Sequence, residues 1–114
     1  MRFLRGHVYI ADLEPVRGSE QGRTRPVVIL SNDANNATSP VITIAPLTSA
    51  SNVPRLYRTD VLVAASEARL SVNSVVMLSQ IRTIAKSRIT KELGELSAAT
   101  MVLIEKAARF ALDL

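Results

Sequence analysis

At 114 residues, with 47% hydrophobic and only 4% aromatic content, the chain is sized for one domain, residues 1–114, built on an aliphatic core. Its fourteen Lys and Arg outnumber ten Asp and Glu, and eleven of the fourteen are Arg, whose planar donor fork suits phosphate oxygens, so an anionic partner is expected, nucleic acid first. With no cysteine and His7 as the single histidine, the composition excludes disulfides, thiolate sites and a zinc or iron centre, and no metal or other cofactor is expected.

In chain order, "HVYIADL" (7–13) is β-prone and closed by Pro15. Residues 15–25 read as a loop in which Gly18 and Gly22 let the chain fold back. "PVVILS" (26–31) is a continuous aliphatic run, as expected of a strand buried on both faces. "NDANNATSP" is dense in turn residues and reads as a loop. "VITIAPL" (41–47) reads as a strand, and "YRTDVLV" (57–63) as an edge strand. "SEARL" reads as a single helical turn, and "NSVVMLSQIRTI" (73–84) as one long strand. From Ser97 the period changes: Met101, Ile104, Ala108, Ala111 and Leu112 fall at helical spacing, with Ser97 as N-cap. Short strands plus one closing helix predict a mainly β fold, a small, strongly curved antiparallel barrel with the helix packed on it. No apolar run is long enough to span a membrane, and "MRFLRGHVYI" lacks the apolar stretch and cleavage site of a signal peptide, so a cytoplasmic protein without membrane contact is expected.

The polar residues worth weighing gather at strand ends. Pro26 restricts Arg25 to extended conformations and so holds it at the start of a strand. Thr48 and Ser49 end the 41–47 strand, and Gln80 and Arg82, two apart on one strand, share a face. Curvature could bring these ends around one groove carrying a guanidinium, a hydroxyl, a carboxylate and an amide. Spacing alone favours the bland alternative: a strand-start charge, a Glu20–Arg23 surface pair, turn residues satisfying backbone groups, and Gln80 and Arg82 facing water. No nucleophile elbow or phosphate-cradling glycine loop is present.

The run "RGHVYIADLEPVRGSEQGRTRPVVILSND" resembles the N-terminal signature of the MazF/PemK toxin endoribonucleases, whose usual form is RGDVYWADLDPVRGSEQGGRRPVVVVSND. "APLTS" resembles that family's second block, and "LSQIRTIAKSRI" its third, usually DQIRTVDKSRL. The tail "ITKELGELSAATMVLIEKAARFALDL" is similar to its last strand and closing helix, so the likeness covers nearly the whole chain. The resemblance implies an SH3-like barrel that forms a homodimer. It implies metal-independent cleavage of single-stranded messenger RNA at short motifs, and a MazE-like antitoxin whose disordered tail fills the RNA groove and with which the toxin binds DNA. Carried over by position, the family's catalytic arginine falls on Arg25, its threonine on Thr48 and its GSEQ glutamate on Glu20. Its RNA-groove positions fall on Ser19, Gln21, Ser31, Asn32, Gln80 and Arg82. His7 and Ala85 replace common aspartates. Ser79 replaces an acid that serves some members as the proposed base, which leaves Glu20 as the remaining carboxylate.

RNA supplies its own nucleophile, the 2′-hydroxyl. A protein that aligns it with the scissile phosphate and stabilises the charge building on the phosphoryl oxygens has little else to provide. Two rival readings use the same architecture: a non-catalytic nucleic-acid-binding regulator, and a topoisomerase-poisoning toxin. The second does not require Arg25 and Thr48 as a pair. The cleavage motif is expected to depend on groove loops, especially 49–58, where "SASNVPRLYR" mixes Arg, Tyr and Asn suited to stacking and base-edge contacts.

Overall fold

The computed structural model describes residues 1–15, 17–20 and 23–114. Its elements are β1 (His7–Asp12), β2 (Thr24–Ile29), α1 (Asp33–Thr38), β3 (Val41–Ser49), β4 (Asp60–Val63), β5 (Ser74–Met77), β6 (Arg82–Ala85), β7 (Ile89–Glu95) and α2 (Ala98–Leu112). The strands form one antiparallel sheet in the order β4-β5-β3-β2-β1-β7, with β6 also pairing with β3.

The aliphatic run of β2 lies in the middle of that order, and Val27, Val28 and Ile29 are fully buried, as a strand covered on both faces should be. Alternation divides the core in two. Val8, Val28, Ala45 and Leu47 belong to a cluster closed by Leu96, Ile104 and Ala107, the last two from α2. Tyr9, Val27, Ile29, Ile42, Ile44 and Ile84 belong to a second cluster, against which Phe3 and Ile89 pack.

The expected SH3-like barrel is corrected here to a mainly β fold whose sheet is not closed. The outer strands β4 and β7 do not pair with each other. The chain leaving β4 makes a one-turn 3-10 helix over Glu67–Arg69, and this turn lies against β7. A Cβ placed on Gly94 of β7 would sit 2.9 Å from Cα of Ala68, so the approach is backbone to backbone without a ladder. Helix α2 packs on β4. The core is thus shut by a turn and a helix where a barrel would use strand pairing. Two register shifts in the β1–β7 pairing bend that side of the sheet.

The strand expected over 73–84 is two strands. β5 pairs with β3 at Leu47–Ser49, and β6 pairs with it at Val41–Ile44. Between them lie Ala45 and Pro46, and proline has no N–H for a ladder. Opposite that gap the chain turns through a 3-10 segment, Leu78–Gln80, with Leu78 sunk in the core.

Helix α1 stands where a loop was expected. No apolar stripe marks it. Asn32 caps it by accepting from the Asn35 N–H at 2.8 Å, and its one inward residue is the polar Asn36, 1% exposed. Helix α2 begins at Ser97 as expected, with the Ser97 hydroxyl accepting from the Thr100 N–H at 3.1 Å. Thr100, Ile104 and Ala107 face the core, whereas Leu112, expected on that stripe, is 53% exposed. Among the described residues no helix is long and apolar enough to cross a membrane.

Candidate active site

Where β2 starts and β3 ends, the surface opens into a groove of about 510 Å³ lined by both Arg25 and Thr48. The strands impose this juxtaposition. Their register pairs Val28 with Ala45 and Val27 with Pro46, where the ladder ends, and both Arg25 and Thr48 lie just beyond that last pair. Pro26 keeps Arg25 extended at the strand's first turn of pleat, and its guanidinium donates to the Leu47 carbonyl at 3.4 Å. Burial pushes the Arg25 guanidinium down from its ordinary pKa, and the neighbouring charge of Arg23 pushes the same way. The side chain still carries its charge, because arginine does not release its proton in proteins. Desolvation makes that charge stronger toward an incoming anion.

Thr48 is 9% exposed, and its Oγ1 accepts from Nδ2 of Asn52 at 3.2 Å. Arg69 and Lys91 line the same groove. Arg69 follows Ala68, and the two adopt φ of 55° and 51°, a left-handed pair without glycine. No Asp or Glu is among the described residues lining this groove. The result is a cationic trough with hydroxyl and amide donors, fitted to a phosphodiester.

Alongside, sharing the β3 edge, lies a depression of about 410 Å³ lined by Ser19, Glu20, Pro46, Ser79, Gln80, Ile81 and Arg82. Pro46 and Thr48 are two apart on β3, and each lines one of the two hollows. Gln80 and Arg82 are neighbours here, although not by strand alternation: Gln80 ends the 3-10 segment and Arg82 begins β6. Gln80 donates to the Ser19 carbonyl at 3.4 Å, Arg82 to the Leu13 carbonyl at 3.4 Å, and the Arg17 N–H donates to Glu20 at 2.6 Å.

Ser31 and Asn32 are not brought to either hollow. Ser31 lines a separate cavity of about 530 Å³ between the sheet and α2. Its hydroxyl donates to Asn36 at 2.6 Å and accepts from the Thr43 N–H at 3.1 Å, while Asn32 caps α1. Gln21, expected in the RNA groove, lies outside the described residues. His7 lies on β1 between Glu92 and Glu95 of β7, 3.0 Å from each, and lines neither hollow.

Sequence reasoning missed Arg69 and Lys91 as groove residues. Asn52 belongs to the loop 49–58 expected to line the groove, and it does line the hollow beside Thr48. Arg69 depends on a left-handed turn that no glycine announces. Lys91 reaches the groove only through the pairing of Ile10 with both Lys91 and Pro26.

Residues 4–112 match the model of the PemK-like, MazF-like toxins of type II toxin–antitoxin systems. An endoribonuclease MazF of Staphylococcus epidermidis is 42% identical over 110 residues, covering 96% of this chain and 91% of that protein. Among solved structures, an endoribonuclease in complex with its cognate antitoxin, from a mycobacterial species, superposes with a TM-score of 0.80 at 31% identity, covering 97% and 95% of the two chains. A crystal structure of MazF from Deinococcus radiodurans gives 0.83 at 27% identity, covering 97% and 96%. The chain belongs to the PemK-like, MazF-like toxins of type II toxin–antitoxin systems.

Proposed function

We propose that this toxin is a metal-independent, sequence-specific endoribonuclease that cuts single-stranded messenger RNA in the groove between Arg25 and Thr48, and so halts translation and growth. The observation that carries the reading is the placement of a half-buried guanidinium and a nearly buried hydroxyl in one cationic groove with no carboxylate among the described residues lining it.

The ribose 2′-oxygen attacks the adjacent phosphorus, the bond from phosphorus to the 5′ oxygen breaks, and a 2′,3′-cyclic phosphate and a 5′-hydroxyl result. The 2′ proton passes to a base. The leaving oxygen takes a proton from solvent. Glu20, in the adjoining hollow, is the carboxylate assigned to the first transfer. Arg25 offers its donor fork to the phosphoryl oxygens as charge accumulates, and Thr48 adds a hydroxyl donor. Losing one such donor typically costs about 3 kcal/mol, roughly a hundredfold in rate. Ser19, Gln21, Gln80 and Arg82 take flanking bases and phosphates, with Arg69 and Lys91 adding phosphate attraction. Ser31 and Asn32, tied into α1, would act on RNA only by shaping the chain after β2.

The functional unit on this reading is a cytoplasmic homodimer. Its partner is a MazE-like antitoxin that blocks the groove, supported by the antitoxin-bound relative. The test is incubation of purified protein with a long single-stranded RNA. Discrete fragments ending in cyclic phosphate support the nuclease. Intact RNA with a mobility shift would leave a binding protein instead.

A further inference from the structure

The contact between Asn52 and Thr48 bears on the direction of a hydrogen bond. A threonine hydroxyl has one proton to give and lone pairs to receive. Asn52 Nδ2 donates into one of those lone pairs at 3.2 Å, and among the described residues no other side chain bonds to Thr48 Oγ1. The proton of Thr48 is therefore left for an acceptor arriving in the groove. A nearly buried hydroxyl held in this way is a donor aimed before the substrate binds.

Asn52 is itself held. It ends a 3-10 turn, Ala50–Asn52, that begins at Ser49, whose hydroxyl accepts from the Ser51 N–H at 3.3 Å. The Ala50 N–H donates to the Asn73 carbonyl at 2.8 Å, and the Val53 N–H to the Ala50 carbonyl at 3.1 Å. The turn returns the side chain of residue 52 to that of residue 48.

We propose that Asn52 is a positioning residue of the reaction: its amide N–H occupies the acceptor side of the Thr48 hydroxyl and points the hydroxyl proton at a phosphoryl oxygen of the RNA. The proposal rests on the nuclease reading above, with Thr48 as a donor. It also explains why a neutral amide suits this position. An aspartate could only accept, and would take the Thr48 proton for itself.

The experiment is single-turnover cleavage at saturating protein, on an RNA that the wild type cuts, alongside binding of the same RNA with a 2′-deoxy residue at the cleavage site. Asn52→Ala should slow cleavage by about fivefold to fiftyfold, with affinity for the uncleavable RNA changed by less than about threefold. Asn52→Asp should be slower still. On a Thr48→Ala background, Asn52→Ala should change the rate by less than about twofold, because the group it orients is gone. Asn52→Asp on that background measures what the added charge does alone, and the extra loss seen with Thr48 present is the captured proton. If the losses from Asn52→Ala and Thr48→Ala multiply, or if Asn52→Ala cleaves at the wild-type rate, the positioning role is wrong while the nuclease reading stands. If Thr48→Ala itself cleaves at the wild-type rate, the assignment of Thr48 falls, and this proposal falls with it.

Discussion

Arg25 and Thr48 line one groove, and the Arg25 guanidinium donates at 3.4 Å to the carbonyl of Leu47, the residue before Thr48. The two side chains come from sequence positions 23 apart and share a groove because β2 pairs with β3, with Val27–Pro46 the last pair before it. A charge and a hydroxyl fixed on adjacent strands need no rearrangement when the substrate arrives, and this is the condition for transition-state stabilisation by fixed donors.

Removing either group should therefore act on rate more than on affinity. Arg25→Ala and Thr48→Ala are each expected to lower single-turnover cleavage by about tenfold to a thousandfold, with Arg25 the larger loss. Binding of a 2′-deoxy substrate should fall far less, because other arginines supply most phosphate attraction. Arg25→Lys should recover little, since an ammonium cannot reproduce a bidentate fork. Wild-type rates at saturation would reduce both to binding residues.

Arg69 lines the groove from a backbone conformation that glycine would adopt at no cost. Arg69→Gly is expected to stabilise the fold, by up to about 1 kcal/mol, through relief of left-handed strain. The same change should weaken RNA binding and lower the slope of log affinity against log salt by about 0.7, the loss of one single-strand phosphate contact. Thermal melts and binding titrations at several salt concentrations check both halves. A more stable protein with an unchanged salt slope would remove Arg69 from the RNA path.

These cases mark what the sequence could and could not disclose. Local signals were legible: the doubly buried run of β2, the proline that fixes Arg25, the Ser97 cap and the helical spacing after it. Non-local outcomes were not. Whether outer strands pair depends on what fills the space between them, and the contact of Ala68 with Gly94 is not written in either local pattern. The break in the 73–84 run is imposed by Pro46 on a different strand, and α1 packs through a buried asparagine that a search for apolar stripes passes over. Arg25 and Thr48 stood out as strand-end residues, and family likeness gave them their expected roles. Asn52 lay in the loop expected to line the groove, and Lys91 needed coordinates.

The turn that takes the place of strand closure also caps α2, which makes the fold sensitive to acid. Partial burial pushes the Glu67 carboxyl up, but the Ser97 N–H at 2.8 Å and the Thr100 hydroxyl at 2.7 Å more than offset this, and its pKa lies below the ordinary value. A carboxyl depressed in the folded state adds stability above its unfolded pKa, and that stability is lost as pH falls through the folded value. Glu67→Gln should cost about 1 kcal/mol at neutral pH, allowing for its exposure. The gap in melting temperature between wild type and variant should narrow as pH drops below about 4.5, the ordinary glutamate range. A gap that persists unchanged into strong acid would show that charge is irrelevant there.

Cleavage should survive excess chelator. The chain has no cysteine and one histidine, and among the described residues no three His, Asp or Glu are grouped to hold a metal ion. The groove meets the developing phosphoryl charge with Arg25 in the role that divalent cations take in many nucleases. Abolition by chelator and restoration by magnesium or manganese would overturn the chemistry assigned to Arg25.

The form of the substrate follows from the same geometry. In-line attack by the 2′-oxygen needs a backbone free to rotate about the scissile phosphate, and an A-form duplex denies that freedom while hiding its base edges in a deep, narrow major groove. The protein is therefore expected to cut a site presented as a single strand and to leave the same site intact when a complementary strand pairs with it. Replacing the 2′-hydroxyl just 5′ of the scissile bond by hydrogen should abolish cleavage, because the nucleophile is gone. It should leave affinity within about threefold, because the phosphates that meet Arg25, Arg69 and Lys91 are unchanged. The two substitutions separate two failures. Cleavage of the 2′-deoxy site would mean that water is the nucleophile and that the cyclic phosphate is not formed. Equal rates on duplex and single strand would mean that the groove does not require a mobile backbone, and the placement of the scissile phosphate between Arg25 and Thr48 would have to be abandoned.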